Sequence, residues 1–113
     1  MAAQAVAEGS DDAEARRRAI EVAKGAWVNR SVSDLWVERI APQWPPRRQP
    51  GVDRNILRLA VFEMLYEKDI PKLVVVDEAI ELAKKYGSEQ SSRFVNGLLD
   101  GLLKTHSFPG SLK

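Results

Sequence analysis

Between about Asp53 and Lys68 the chain has almost no polar face. Ile56, Leu57, Leu59, Ala60, Val61, Phe62, Met64, Leu65 and Tyr66 project in nearly every direction around a helix. Such a helix cannot lie on a surface. It needs neighbours on several sides, so the chain is constrained to a bundle with this helix in the middle. Its polar residues come in like-charged pairs at helical spacing, Arg54 with Arg58 and Glu63 with Glu67. Like charges at i, i+4 cost about 0.2–0.5 kcal/mol each. They point to partners outside the helix or to a solvated helix end, and the simpler reading is the solvated end.

The rest of the chain supplies the neighbours. Residues 1–10 are small and polar and read as a frayed tail. A first helix is expected from Asp11 to Arg30, with Ser10 as cap and Asp11, Asp12 and Glu14 at its positive end. Ile20, Ala23 and Trp27 form an apolar stripe along it. Ser31 to Ser33 interrupts, and Ser33 caps a short helix from Asp34 to Ala41 that Pro42 ends. Two helices or one kinked helix would both satisfy this pattern.

Residues 42–51 hold four of the six prolines and form a stiff loop, with Trp44 as its anchor on the core. Pro71 opens a helix that runs to Tyr86. Val76, Ala79, Ile80 and Ala83 face inward, while Asp77, Glu78 and Glu81 form a solvated face and Glu81 pairs with Lys85. Gly87 is read as a left-handed stop. The last helix covers about Glu89 to Lys104. Its two glycines, Gly97 and Gly101, imply close approach of a neighbouring helix or room for a ligand backbone, since helix-interior glycine costs up to about 1 kcal/mol. Residues 107–113 read as a loose tail. The expected product is an all-α, single-domain bundle of four to five helices over residues 11–106, with no strand and no internal repeat.

Composition narrows the function. With 113 residues there is room for one core and little for a deep substrate cavity. Seventeen Lys and Arg against sixteen Asp and Glu leave a net charge of +1, so nucleic-acid binding must come from local charge placement. The absence of Cys excludes disulfides and thiolate chemistry and fits a reducing cytoplasm. A single histidine, His106, argues against a histidine triad or a multi-histidine metal site. No apolar run reaches the ~20 residues that cross a bilayer. No catalytic residue, metal or cofactor is called for.

Three features could serve RNA. Arg16, Arg17 and Arg18 form a basic triplet on the opening helix, and Arg47 and Arg48 lie in the proline-rich loop. The third is the start of the last helix, where Gln90, Arg93 and Phe94 combine amide, guanidinium and aromatic groups near a helix N-terminus.

Three stretches carry a family resemblance. Val52-Asp53-Arg54-Asn55-Ile56-Leu57-Arg58-Leu59-Ala60-Val61-Phe62-Glu63-Met64-Leu65-Tyr66 resembles the central helix of the NusB family of transcription antitermination factors. Asp77-Glu78-Ala79-Ile80-Glu81-Leu82-Ala83-Lys84-Lys85-Tyr86-Gly87 is similar to the helix that follows, and Arg93-Phe94-Val95-Asn96-Gly97-Leu98-Leu99-Asp100 to the last. Gly25-Ala26-Trp27-Val28-Asn29-Arg30 and Trp44 also match, so the resemblance runs from Ala19 to Lys104. It implies an all-α fold and binding of boxA RNA together with a small-subunit ribosomal protein (NusE). The pair acts on the RNA polymerase complex. The resemblance places RNA contacts near Gln90, Arg93 and Phe94, and protein contacts around Asp53, Arg54 and Arg58.

The family usually begins with two further helices, the first rich in arginine, and this chain is expected to lack them. The triplet Arg16-Arg17-Arg18 echoes that start, but the Trp27-Asn29-Arg30 register aligns its helix with the family's third. Apolar surface left uncovered favours a partner or a homodimer, at roughly 25 cal/mol per Å². Two alternatives follow: a protein-interaction module that has lost RNA binding, and an accessory domain like that of RNA cytosine methyltransferases.

Overall fold

A computed structural model describes residues 13–109. The expected tail at 1–10, the Ser10 cap, the start at Asp11 and residues 110–113 lie outside the described residues. The described chain forms α1 (Ala13–Val28), α2 (Arg30–Ile40), a 3₁₀ turn (Pro46–Arg48), α3 (Gly51–Tyr66), α4 (Lys72–Tyr86) and α5 (Ser91–Leu103), with no strand among them. The all-α bundle expected from periodicity is therefore the architecture.

Helix α3 is the axis and packs against all four other helices. Leu57, Val61 and Met64 are almost wholly buried, and they join Val37, Val75, Ala83, Val95, Leu99 and Leu102 in one core. A second, smaller cluster of Val22, Ala26 and Phe62 fastens α1 to α3. Fully burying each Val, Leu, Met or Phe side chain among them contributes about 1.5–3 kcal/mol.

The buried stripe of α1 is Ala19, Val22 and Ala26, not the larger Ile20, Ala23 and Trp27. Ile20 is 42% and Trp27 57% exposed. The two stripes are one residue apart, and close approach selects the smaller. A Cβ at Gly25 would stand 2.6 Å from the Phe62 ring of α3. The break between α1 and α2 falls at Asn29, not at Ser31–Ser33. There the Asn29 Nδ2 donates to the Gly25 carbonyl at 2.8 Å, ending α1. Ser33 is a buried residue inside α2, its hydroxyl 3.5 Å from the Arg58 carbonyl, and not a cap.

Trp44 is 59% exposed, and the loop is held instead by buried Pro45, Pro46 and Gln49, whose Nε2 donates to the Trp44 carbonyl at 2.9 Å. Gly87 is extended (φ −96°), not left-handed; a Cβ there would collide with the Ser91 side chain and the Ala83 carbonyl. Glu81 lies 3.8 Å from Lys84, while Lys85 sits over the Tyr86 ring. Gly101 does allow a close approach, with Ile40 Cγ2 3.1 Å from where its Cβ would be, but nothing approaches Gly97. The tail is not loose at Phe108, which is buried and meets Trp36 of α2 edge-on at 5.2 Å.

Candidate nucleic-acid and protein interface

The start of α5 is shaped by a serine pair. Ser91 is buried, its Oγ accepts the Ser88 N–H at 2.9 Å, and the two hydroxyls lie 3.1 Å apart. With the local hydrogen bonding turned inward, Gln90 and Arg93 are left exposed, and no acidic residue occupies the first turn. Phe94 is half-buried against the core, so only part of its ring is available. A helix start with an exposed guanidinium and amide beside it suits an anion such as a phosphate.

The basic triplet is partly committed. Arg17 pairs with Glu14, and Arg18 reaches Glu67, just beyond the end of α3, at 3.1 Å. Arg47 and Arg48 are exposed on the 3₁₀ turn. Among the described residues no cluster of three or more His, Cys, Asp or Glu is placed to hold a metal ion. No described helix is long and apolar enough to cross a membrane.

The expected protein-partner residues turn out to be largely internal struts. Asp53 is buried, with one carboxylate oxygen out of reach of any donor. Arg54 donates to the Pro46 carbonyl at 3.3 Å, tying α3 to the proline loop. Arg58 grips Asp34 of α2 with two hydrogen bonds, 2.9 and 2.7 Å. That hydrogen-bonded carboxylate holds the guanidinium above its ordinary pKa, against the opposing effect of burial. What the start of α3 does present to solvent is Val52 and Asn55. One member of each like-charged pair thus finds a partner on another helix, Arg58 with Asp34 and Glu67 with Arg18, in place of the solvated end.

Buried carboxylates are the feature that helical spacing missed. Glu63 is 3% and Glu78 8% exposed, facing one another across the α3–α4 seam around a void of about 10 Å³. The face of α4 expected to be solvated therefore turns Glu78 inward. Burial first, then the neighbouring Glu78 and Glu67, push the Glu63 carboxyl up to about 7.

Two larger hollows mark the surface. One, of about 480 Å³, lies along α2 beside Val32, Leu35, Trp36, Glu38 and Arg39. The other, of about 280 Å³, lies between α1 and α3 and is lined by Ala23, Ala26, Trp27, Asn55, Arg58 and Leu59.

Comparison with known proteins places this surface in context. The NusB family profile matches residues 2–104. The transcription antitermination protein NusB of Thermotoga maritima is 50% identical over 84 residues, covering 74% of this chain and 59% of that protein. The counterpart from Herpetosiphon aurantiacus is 48% identical over 101 residues, covering 83% of this chain and 69% of its own length. A solved structure of T. maritima NusB aligns with a TM-score of 0.73 at 48% identity, covering 79% of this chain and 63% of that one. The chain spans about three fifths of the length of several of the curated relatives it matches.

Proposed function

The chain belongs to the NusB family, and from that premise we propose that it is a non-enzymatic binder of boxA-type RNA that acts with the small-subunit ribosomal protein NusE in transcription antitermination. RNA docks at the start of α5, with Gln90 and Arg93 on phosphates and the open edge of Phe94 against a base. Arg16, Arg17 and Arg18 add charge along the strand. NusE docks at the N-terminal part of α3, where Asp53, Arg54 and Arg58 fix the helix and Val52 and Asn55 present its surface. The RNA polymerase complex is engaged indirectly, through these two partners. No cofactor takes part.

The observation that carries this reading is the α5 start, where Gln90 and Arg93 are exposed at a helix N-terminus whose first turn holds no acidic residue. Titration of boxA-type RNA, with and without the ribosomal protein, tests it. Binding should exceed that of a scrambled RNA, and equal binding of both in either condition overturns the reading.

The hollow on α2 favours a second reading, a protein-interaction or self-association module. Leu35, 67% exposed, and Val32, 38% exposed, line it. Salt discriminates the two, because phosphate contacts weaken steeply with ionic strength while an apolar interface does not. A monodisperse monomer at high concentration in size-exclusion chromatography with light scattering argues against a homodimer.

A further inference from the structure

Trp27 is an unusual residue to leave in water. The residue is 57% exposed even though the Arg30 guanidinium lies 3.8 Å from its ring centroid. Arg30 is held in that position by donating from Nη1 to the Trp27 carbonyl at 2.8 Å. A second guanidinium, that of Arg58, is 5.7 Å from the same ring and is fixed by its two hydrogen bonds to Asp34. The adjoining hollow of about 280 Å³ has an apolar floor of Ala23, Ala26 and Leu59, and the exposed Asn55 stands at its edge. Lys24, one turn back along α1, is exposed as well.

We propose that this hollow is a stacking site for an unpaired nucleobase of single-stranded RNA. The base lies against Trp27, Asn55 hydrogen-bonds its edge, and Arg30 with Lys24 meets the flanking phosphates. Three observations favour this occupant. The apolar floor and the planar Trp27 ring suit a flat aromatic guest. A cation over an aromatic ring extends the surface on which a base can stack. Arg58 satisfies the Asp34 carboxylate, and the Arg30 guanidinium at the Trp27 ring adds a positive charge, which complements a polyanion. The hollow comes from α1 and α3, whereas the α5 start uses neither. An RNA strand that uses both crosses from one part of the bundle to another. This inference rests on the RNA-binding reading and extends its footprint.

The test uses the full chain and a short single-stranded RNA carrying a boxA-type sequence. Affinity and tryptophan fluorescence are measured for wild type, Trp27→Ala, Trp27→Phe and Arg93→Ala, with circular dichroism to confirm equal helix content. Trp27→Ala should weaken binding about five- to hundred-fold, the range for loss of one stacked base. Trp27→Phe should retain most of the affinity and lose the RNA-induced fluorescence quenching. If Arg93→Ala weakens binding and Trp27→Ala does not, the stacking site is overturned and the α5 reading stands. If wild type binds no RNA, the RNA reading fails and takes the stacking site with it. If Trp27→Ala weakens binding of the ribosomal protein and leaves RNA affinity unchanged, the hollow belongs to a protein interface and the inference is overturned.

Discussion

Glu63 lies at the seam between α3 and α4 with one carboxylate oxygen buried and out of reach of any donor. Burial, reinforced by Glu78 and then Glu67, raises its pKa from 4.5 to about 7. Between those two values the folded chain keeps a proton that the unfolded chain has lost. Stability from this group is therefore full below about pH 4.5, falls as pH rises, and is gone above about 7. A shift of this size corresponds to up to about 3 kcal/mol. Glu63→Gln cannot ionise, so its thermal midpoint should fall less than that of wild type across this window. A wild-type midpoint that rises with pH there, relative to the variant, contradicts the assignment. None of this was legible in the sequence, because helical spacing of Glu63 and Glu67 says nothing of what faces them. The Arg58–Asp34 pair was equally invisible: its members are 24 positions apart and on different helices.

At the scale of elements, α3, α4 and α5 were readable because their large aliphatic residues recur at the helical period over three or more turns. The orientation of α1 was not. Its two candidate stripes differ by one residue, and hydropathy selects the bulkier Ile20, Ala23 and Trp27, whereas the tight crossing against Phe62 selects Ala19, Val22 and Ala26. Two glycines make that contrast measurable. Gly25→Ala drives a methyl group into the Phe62 ring, so overpacking of about 1–3 kcal/mol outweighs the gain in helix propensity of about 1. Gly97→Ala meets open space and should raise stability by up to about 1 kcal/mol. Chemical denaturation of the two variants should shift in opposite directions. A stabilising Gly25→Ala removes the close crossing as the reason for the α1 orientation.

For the molecule as a whole, closure of the bundle depends on a residue beyond its last helix. Phe108 is 1% exposed and packs edge-on against Trp36, joining the segment after α5 to α2. Phe108→Ala leaves a cavity and should cost about 3–5 kcal/mol in urea unfolding. A loss below about 1 kcal/mol means that the segment does not seal the core. Composition pointed away from this contact, since a lone aromatic amid Ser, Pro and Gly carries no periodic signal. The amino-acid order alone determined the helical class, the central place of α3 and the ordered motifs of the family, because these follow from local periodicity and residue identity. Tertiary packing alone decided which face of α1 is buried, which carboxylates leave water and that Trp27 stands over a cationic hollow. Each of those depends on desolvation by segments far away in the chain, and no local pattern encodes that.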